Sequence, residues 1–297
     1  ELSATLLFAL AGAILLGAAT DLVTLFIGLE LMVIPGYVLA GYAKRDPLST
    51  EGAVKYFLLG SFSSAILLFG IVVLWGVAGT ASLSGIATAL ASGEASAGLA
   101  VSLALITTGS AFKIAAVPFH YWTPDAYQGS PTPITGYLSV GPKVGAFVLL
   151  IKLFVIALAP LAALWIPVMV VLAAATMTLG NLVALTQSNV KRMLAYSSIA
   201  HAGFLLAGVI ALSKSGLDAT IFYLFAYGIA TVGAFGVVTL VRDSSGEVTD
   251  LNRWSGLGKR SPLVASVFAF FLLAFAGIPL TSGFIGKFSI FSSAYES

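Results

Sequence analysis

The 297 residues are 59% hydrophobic and only 9% charged, with a formal net charge of +2. A soluble domain carries about 25% charged residues, so this chain has too few to cover a water-facing surface, and no basic cluster suggests nucleic acid as a partner. With no cysteine and only two histidines, His120 and His201, the sequence excludes disulfides, cysteine-ligated iron–sulfur clusters and thiol catalysis, and makes a haem or multi-histidine metal site a poor fit.

A helix of about 20 apolar residues spans a bilayer, and runs of that length recur from end to end. Lipid leaves backbone polar groups to pair internally, so the choice is helices or a closed barrel. Long unbroken runs rather than short alternating ones decide for helices. In chain order the predicted spans are roughly 2–20, 22–42, 54–78, 99–127, 132–156, 163–187, 191–212, 218–241 and 262–296, the fourth and the last broken. The sequence opens at Glu1 inside the first span, with no initiator Met and no signal peptide, and stops about ten residues after Lys287. It is therefore expected to be part of a longer polypeptide.

The connections alternate between two sides. One holds Lys44, Arg45, Lys55, Lys191, Arg192, Arg242, Arg253, Lys259 and Arg260, and the other only Lys214. The positive-inside rule makes the first side cytoplasmic, and the stretch from Arg242 to Arg260 a cytoplasmic loop too short to be a domain. A faint internal repeat accompanies this topology. Ala53–Val72 lies over Ala219–Val238, and Val117-Pro118-Phe119 over Ile278-Pro279-Leu280. The first segment leaves the cytoplasm and the second enters it, the arrangement of an inverted repeat, though the match is mostly apolar.

Charged side chains at mid-membrane cost roughly 2.5–3.5 kcal/mol on insertion scales and therefore face an interior partner or a water-filled cavity. Asp21, at the extracytoplasmic edge, is expected to cap a helix. Glu30, in GLELMVIPGY, is the only acidic residue well inside a span; its alternatives are a neutral carboxyl hydrogen-bonded in the bundle or a proton-handling partner of a lysine. Lys113, in GSAFKIAAVPFHYW, is followed by Pro118, which lacks an N–H and breaks the helix. A lysine beside such a break reads as part of an ion path, or as a snorkelling side chain at a helix end. Lys143 follows Pro142 in SVGPKVGAF and repeats that combination. Lys152, nearer the extracytoplasmic end, reads as snorkelling. Lys287 lies beyond a second break, AGIPLTSGFIGKF, in the element that the repeat pairs with that of Lys113. Two broken helices at corresponding positions point to a transport site. His201, behind Ser197 and Ser198, titrates near neutrality and suits a relay between lysines, or a structural hydrogen bond. His120, near Pro118 and Asp125, suits proton uptake or local capping. No glycine-rich phosphate loop, dinucleotide fingerprint or nucleophile–base set appears, so coupling energy is expected from an ion gradient or partner subunits.

The stretches FKIAAVPFHYWTPDAYQGSPTPITGYLSVGPKVGAF, QSNVKRMLAYSSIAHAGF and AGIPLTSGFIGKF together resemble the antiporter-like membrane subunits of respiratory complex I, the proton-pumping NADH:quinone oxidoreductase. With KYFLLGSFSSAILLFG before them, the wording is closest to the N branch of that family, and it covers nearly the whole chain. The resemblance implies an all-α polytopic membrane protein of about fourteen helices, with two inverted repeats that each contain one discontinuous helix. On that scheme 1–297 is a single transmembrane domain, 1–156 being the first repeat and 157–297 the second, without its last helix. Carried over, Glu30 and Lys113 would form an ion pair, Lys143 a central relay and Lys287 the distal residue, with His201 and His120 as further relay groups. The resemblance also implies no cofactor in this chain. NADH, flavin, iron–sulfur clusters and quinone would sit in other subunits, and the partners would be further membrane subunits, antiporter-like ones among them, and the lipid bilayer of the bacterial inner membrane. The competing readings are a subunit of a multi-subunit cation/proton antiporter, which shares much of these motifs, and a structural scaffold. The scaffold would carry three or four unpaired ionisable groups at a cost of roughly 8–14 kcal/mol.

Overall fold

Helices dominate the computed structural model, which describes residues 1–91, 96–244 and 246–296. Helices α1 (Leu2–Ala18) and α2 (Leu22–Ala40) form a hairpin. Between them Asp21 caps α2 as expected, its carboxylate accepting from the backbone N–H of Val23 and Thr24, each at 2.9 Å. The Thr24 amide is foremost in holding that carboxyl below the usual carboxylate range. Helix α3 (Pro47–Ala78) begins earlier than hydropathy predicts. Asp46 accepts from the Leu48 N–H at 2.9 Å, and proline in the first turn needs no donor there. A short helix without a predicted counterpart, α4 (Leu83–Ala91), follows.

The fourth predicted span is two helices, α5 (Ala97–Lys113) and α6 (Trp122–Gly129). Helix α7 (Thr132–Leu150) continues as a π-helical stretch, Ile151–Ala157. Then come α8 (Ala162–Ala184), α9 (Val190–Ile210) and α10 (Lys214–Leu240). The last predicted span is again double, α12 (Pro262–Ala276) and α13 (Ser282–Glu296), entered through a short α11 (Leu257–Arg260). Among the described residues six spans are long and apolar enough to cross a membrane, and α1, α5 and α12 are shorter apolar helices.

Two hairpins are built on close backbone approach. A Cβ on Gly28 of α2 would stand 2.6 Å from the Leu16 nitrogen of α1, and one on Gly180 of α8 would stand 2.7 Å from the Ala200 nitrogen of α9. Small residues at such crossings are how membrane helices gain contact without a hydrophobic driving force. The outward faces carry exposed apolar side chains such as Phe62, Phe69, Val171, Phe225 and Ile229, while lysines and histidines, among them Lys113, Lys143, His120 and His201, are buried. Polar groups point inward because only the interior offers them partners.

The stretch after α10 is more ordered than its composition suggests. Strands β1 (Arg242–Asp243) and β2 (Gly246–Glu247) pair antiparallel. The chain then crosses the start of α9, the Val190 N–H donating to Thr249 O at 2.8 Å and the Leu251 N–H to Ser188 O at 2.8 Å. Glu247 accepts from the Thr132 hydroxyl at the start of α7. Lys191, which the sequence assigns to the side rich in lysine and arginine, is buried, its amine donating to Ser130 O at 2.5 Å.

Candidate proton-transfer site

The first break follows from Pro118. Without its N–H the helix cannot continue, and the chain closes α5 with turns: the Ala115 N–H bonds Phe112 O at 3.0 Å and the Ala116 N–H bonds Ala111 O at 2.8 Å. The Phe112 carbonyl also accepts from the Trp122 indole at 3.3 Å, and the Val117 N–H donates across to Thr176 of α8 at 2.9 Å. The N–H groups of residues 114–117 are thus all bonded within the protein, as backbone at membrane depth requires. This leaves Lys113 in the last turn of α5, with its side chain 4% exposed and its amine 3.6 Å from Glu30 Oε1 on α2. Ser64 of α3 stands between them. Its Oγ accepts from Lys113 Nζ at 2.6 Å and donates to Glu30 Oε1 at 2.6 Å.

Lys143 projects from α7 one residue after Pro142 and is buried. Its amine donates to Ser198 O of α9 at 2.5 Å and to the Ser198 hydroxyl. It also lies 5.3 Å from the centre of the Tyr227 ring of α10, a cation–π contact. The Ser198 hydroxyl is 3.4 Å from Tyr127 Oη of α6.

One turn along α9 is His201, buried, its Nδ1 2.7 Å from Tyr223 Oη and its ring centre 4.8 Å from that of Tyr227. Phe204 and Phe275 flank it at 6.0 and 5.6 Å. Lys287 completes the group. The second break leaves carbonyls at the end of α12 without helical partners. The Lys287 amine of α13 meets them, donating to Phe275 O at 2.6 Å, and lies 4.5 Å from the centre of the Phe204 ring. His201 and Lys287 share a cleft of about 600 Å³ whose walls also include Asn181, Gln187 and Ser197.

The tertiary structure therefore brings Glu30 to Lys113 and Lys143 to the His201 helix, with Lys287 beside His201. The two break lysines sit on opposite sides of their breaks, Lys113 before the first and Lys287 after the second. His120 stays apart. It is buried, its ring stacked on Tyr121 at 4.5 Å, and its Nδ1 has no hydrogen-bond partner among the described residues. Asp125, which the sequence placed near it, binds Lys55 at 2.6 Å and Arg192 at 2.5 Å instead. Lys152 donates to Ala19 O at the end of α1, at 2.7 Å. Sequence reading missed Ser64, Tyr223 and Tyr227. The polar Ser63–Ser64 pair inside an apolar run was the visible signal for the first, whereas the tyrosines look like ordinary interface aromatics.

A helical body with two discontinuous helices and lysines at both breaks defines an antiporter-like polytopic membrane protein. The family described as NADH:quinone oxidoreductase/Mrp antiporter, TM, matches residues 19–297, and the chain belongs to it. NADH-quinone oxidoreductase subunit N of Rhodococcus opacus is 57% identical over 98% of this chain and 54% of its own length. Among solved structures, a chain of respiratory complex I from Thermus thermophilus superposes with a TM-score of 0.83 at 35% identity, covering 99% of this chain and 64% of that one. A chain of the Mrp complex from Dietzia superposes with a TM-score of 0.88 at 28% identity, covering 98% of this chain and 54% of that one. The chain thus spans about half the length of the curated relative it matches. It is a multi-pass protein of the bacterial inner membrane, related to subunits of an enzyme complex.

Proposed function

We propose that the chain is the core of an N-type antiporter-like subunit of NADH:quinone oxidoreductase and moves protons across the membrane, driven by quinone reduction in other subunits. One observation supports this above the rest: a run of ionisable groups extends through the membrane-embedded body, from the half-buried Glu30 by way of the buried Lys113, Lys143 and His201 to the half-buried Lys287. In this reading a change of charge on Lys113, imposed from a neighbouring subunit, alters its attraction to Glu30 and hence the proton affinity of Lys143. Ser198 holds the Lys143 amine on the helix that carries His201, and protons pass stepwise toward Lys287 and out. Local electrostatics biasing a few titratable groups suffices, without large helix movement. His120 is a side group of this path, serving uptake. The body divides into repeats at 1–156 and 157–297, supported by the paired breaks and the paired glycine crossings. The chain itself holds no redox cofactor; NADH, flavin, iron–sulfur clusters and quinone belong to partner subunits, further antiporter-like ones included.

The test is proton pumping and NADH-driven quinone reduction in membranes carrying Lys113→Ala in the full-length protein. Both are expected to fall while the complex still assembles; normal pumping would remove Lys113 from the path. The TM-score of 0.88 to the Mrp chain favours a second reading, a subunit of a multi-subunit cation/proton antiporter. That reading predicts cation-dependent proton exchange in the absence of NADH.

A further inference from the structure

Ser64 deepens the proposed relay and rests on it. A serine inside a helix commonly turns its hydroxyl back onto a carbonyl one turn earlier. Ser64 turns away from its own helix. It donates to Glu30 Oε1 on α2 and accepts from Lys113 Nζ on α5, both at 2.6 Å, and it is 6% exposed. The amine and carboxylate are 3.6 Å apart, beyond an ordinary N–H···O bond of about 2.7–3.2 Å. Tyr37 Oη of α2, also buried, makes no hydrogen bond to either ion among the described residues. Among the described residues, then, the hydrogen-bonded route from amine to carboxylate runs through the Ser64 hydroxyl.

We propose that Ser64 is a proton-transfer residue of the Glu30–Lys113 pair, its hydroxyl passing a proton between the two without their meeting. As an N–H proton of the Lys113 ammonium moves to Ser64 Oγ, the Ser64 O–H proton moves to Glu30 Oε1. One N–H and one O–H bond break and two O–H bonds form. The products are a neutral amine, an intact serine hydroxyl and a protonated carboxyl, and no electrons change hands. The reverse step restores both ions. The pair thus switches its charge off and on in place, by two protons moving along existing hydrogen bonds, and the lysine need not swing.

The adjacent Ser63 provides the control. It is equally buried, but its hydroxyl donates to the Gly109 carbonyl at 3.2 Å and touches neither ion. The experiment measures the rates of proton pumping and of NADH-driven quinone reduction in membranes containing the assembled complex with the full-length protein, for Ser64→Ala, Ser64→Cys, Ser64→Thr, Ser63→Ala and Lys113→Ala. Ser64→Ala and the near-isosteric Ser64→Cys, whose thiol is a weak donor and acceptor, are expected to lower the pumping rate about tenfold or more, against the about 10²–10⁴-fold a positioned proton-transfer group contributes. Ser64→Thr, which keeps the hydroxyl, restores pumping, and Ser63→Ala leaves it unchanged. If Ser64→Ala does not assemble, Ser64→Cys decides. Wild-type pumping by a Ser64 variant that lacks the hydroxyl, with Lys113→Ala inactive, overturns the role of Ser64 alone. Wild-type pumping by Lys113→Ala overturns the relay reading and this inference with it.

Discussion

The two broken helices solve one problem in opposite ways. At the first, the carbonyls of Ser110, Ala111 and Phe112 at the end of α5 are taken by backbone turns and by the Trp122 indole. Lys113 is thereby released from capping duty, and its amine reaches across the interior to Ser64 and Glu30. At the second, α12 ends on Gly277 and the carbonyl of Phe275 is met by the Lys287 amine itself. That lysine has no carboxylate within ion-pair distance among the described residues; it has a carbonyl, an aromatic face and an open cleft. A cation suits this place because carbonyl dipoles converge at a helix C-terminus. The first break therefore holds a charge that depends on another charge, and the second a charge that depends on the backbone.

That contrast can be broken most sharply at Glu30. Glu30→Gln leaves the Lys113 amine with Ser64 and a neutral amide. Removing one partner of a buried pair costs about 3–5 kcal/mol, and the 20% exposure of the Glu30 side chain places the expected loss at or below the lower end. The thermal inactivation midpoint of the solubilised complex should fall accordingly, together with pumping. At the second break the two duties of the lysine are expected to separate. Lys287→Met orphans the Phe275 carbonyl and should cost about 1–3 kcal/mol, with pumping lost. Lys287→Gln keeps a donor and should hold near-wild-type thermal stability while pumping still fails. Equal stability of the Met and Gln variants would show that the carbonyl does not depend on the lysine. The smallest effect is expected at Trp122→Phe. This change keeps the stacking on Tyr56, at 4.4 Å between ring centres, and removes only the long bond to Phe112 O. A loss near the lower end of about 0.5–1.5 kcal/mol should appear in the same thermal assay, with pumping retained.

Much of this was legible in one dimension because lipid is an unforgiving solvent. Apolar runs long enough to span it, prolines that end them and lysines that do not belong in them stand out without any knowledge of packing. The six long apolar spans among the described residues, both breaks and the buried character of Lys113 and Lys143 were all anticipated, as was the cap at Asp21. The start of α3 was misjudged because hydropathy cannot see a polar cap such as Asp46, and α4 because nine residues carry little signal. The burial of Lys191 was not foreseen, because the loop after α10 that folds over the start of its helix comes from far along the chain.

By itself the sequence determined the solvent of this protein, the order of its spans and the kinds of groups forced into its interior, since each depends on local composition against the cost of burying charge. Only the tertiary structure decided who meets whom. Glu30 and Lys113 are far apart in the chain, and the Ser64 hydroxyl that joins them comes from a third helix. Asp125 bonds to Lys55 and Arg192 rather than to nearby His120, and Tyr223 reaches His201 from another helix. Hydrogen bonds a few ångströms long depend on helix crossings and rotations, and those are set by how small residues let backbones approach.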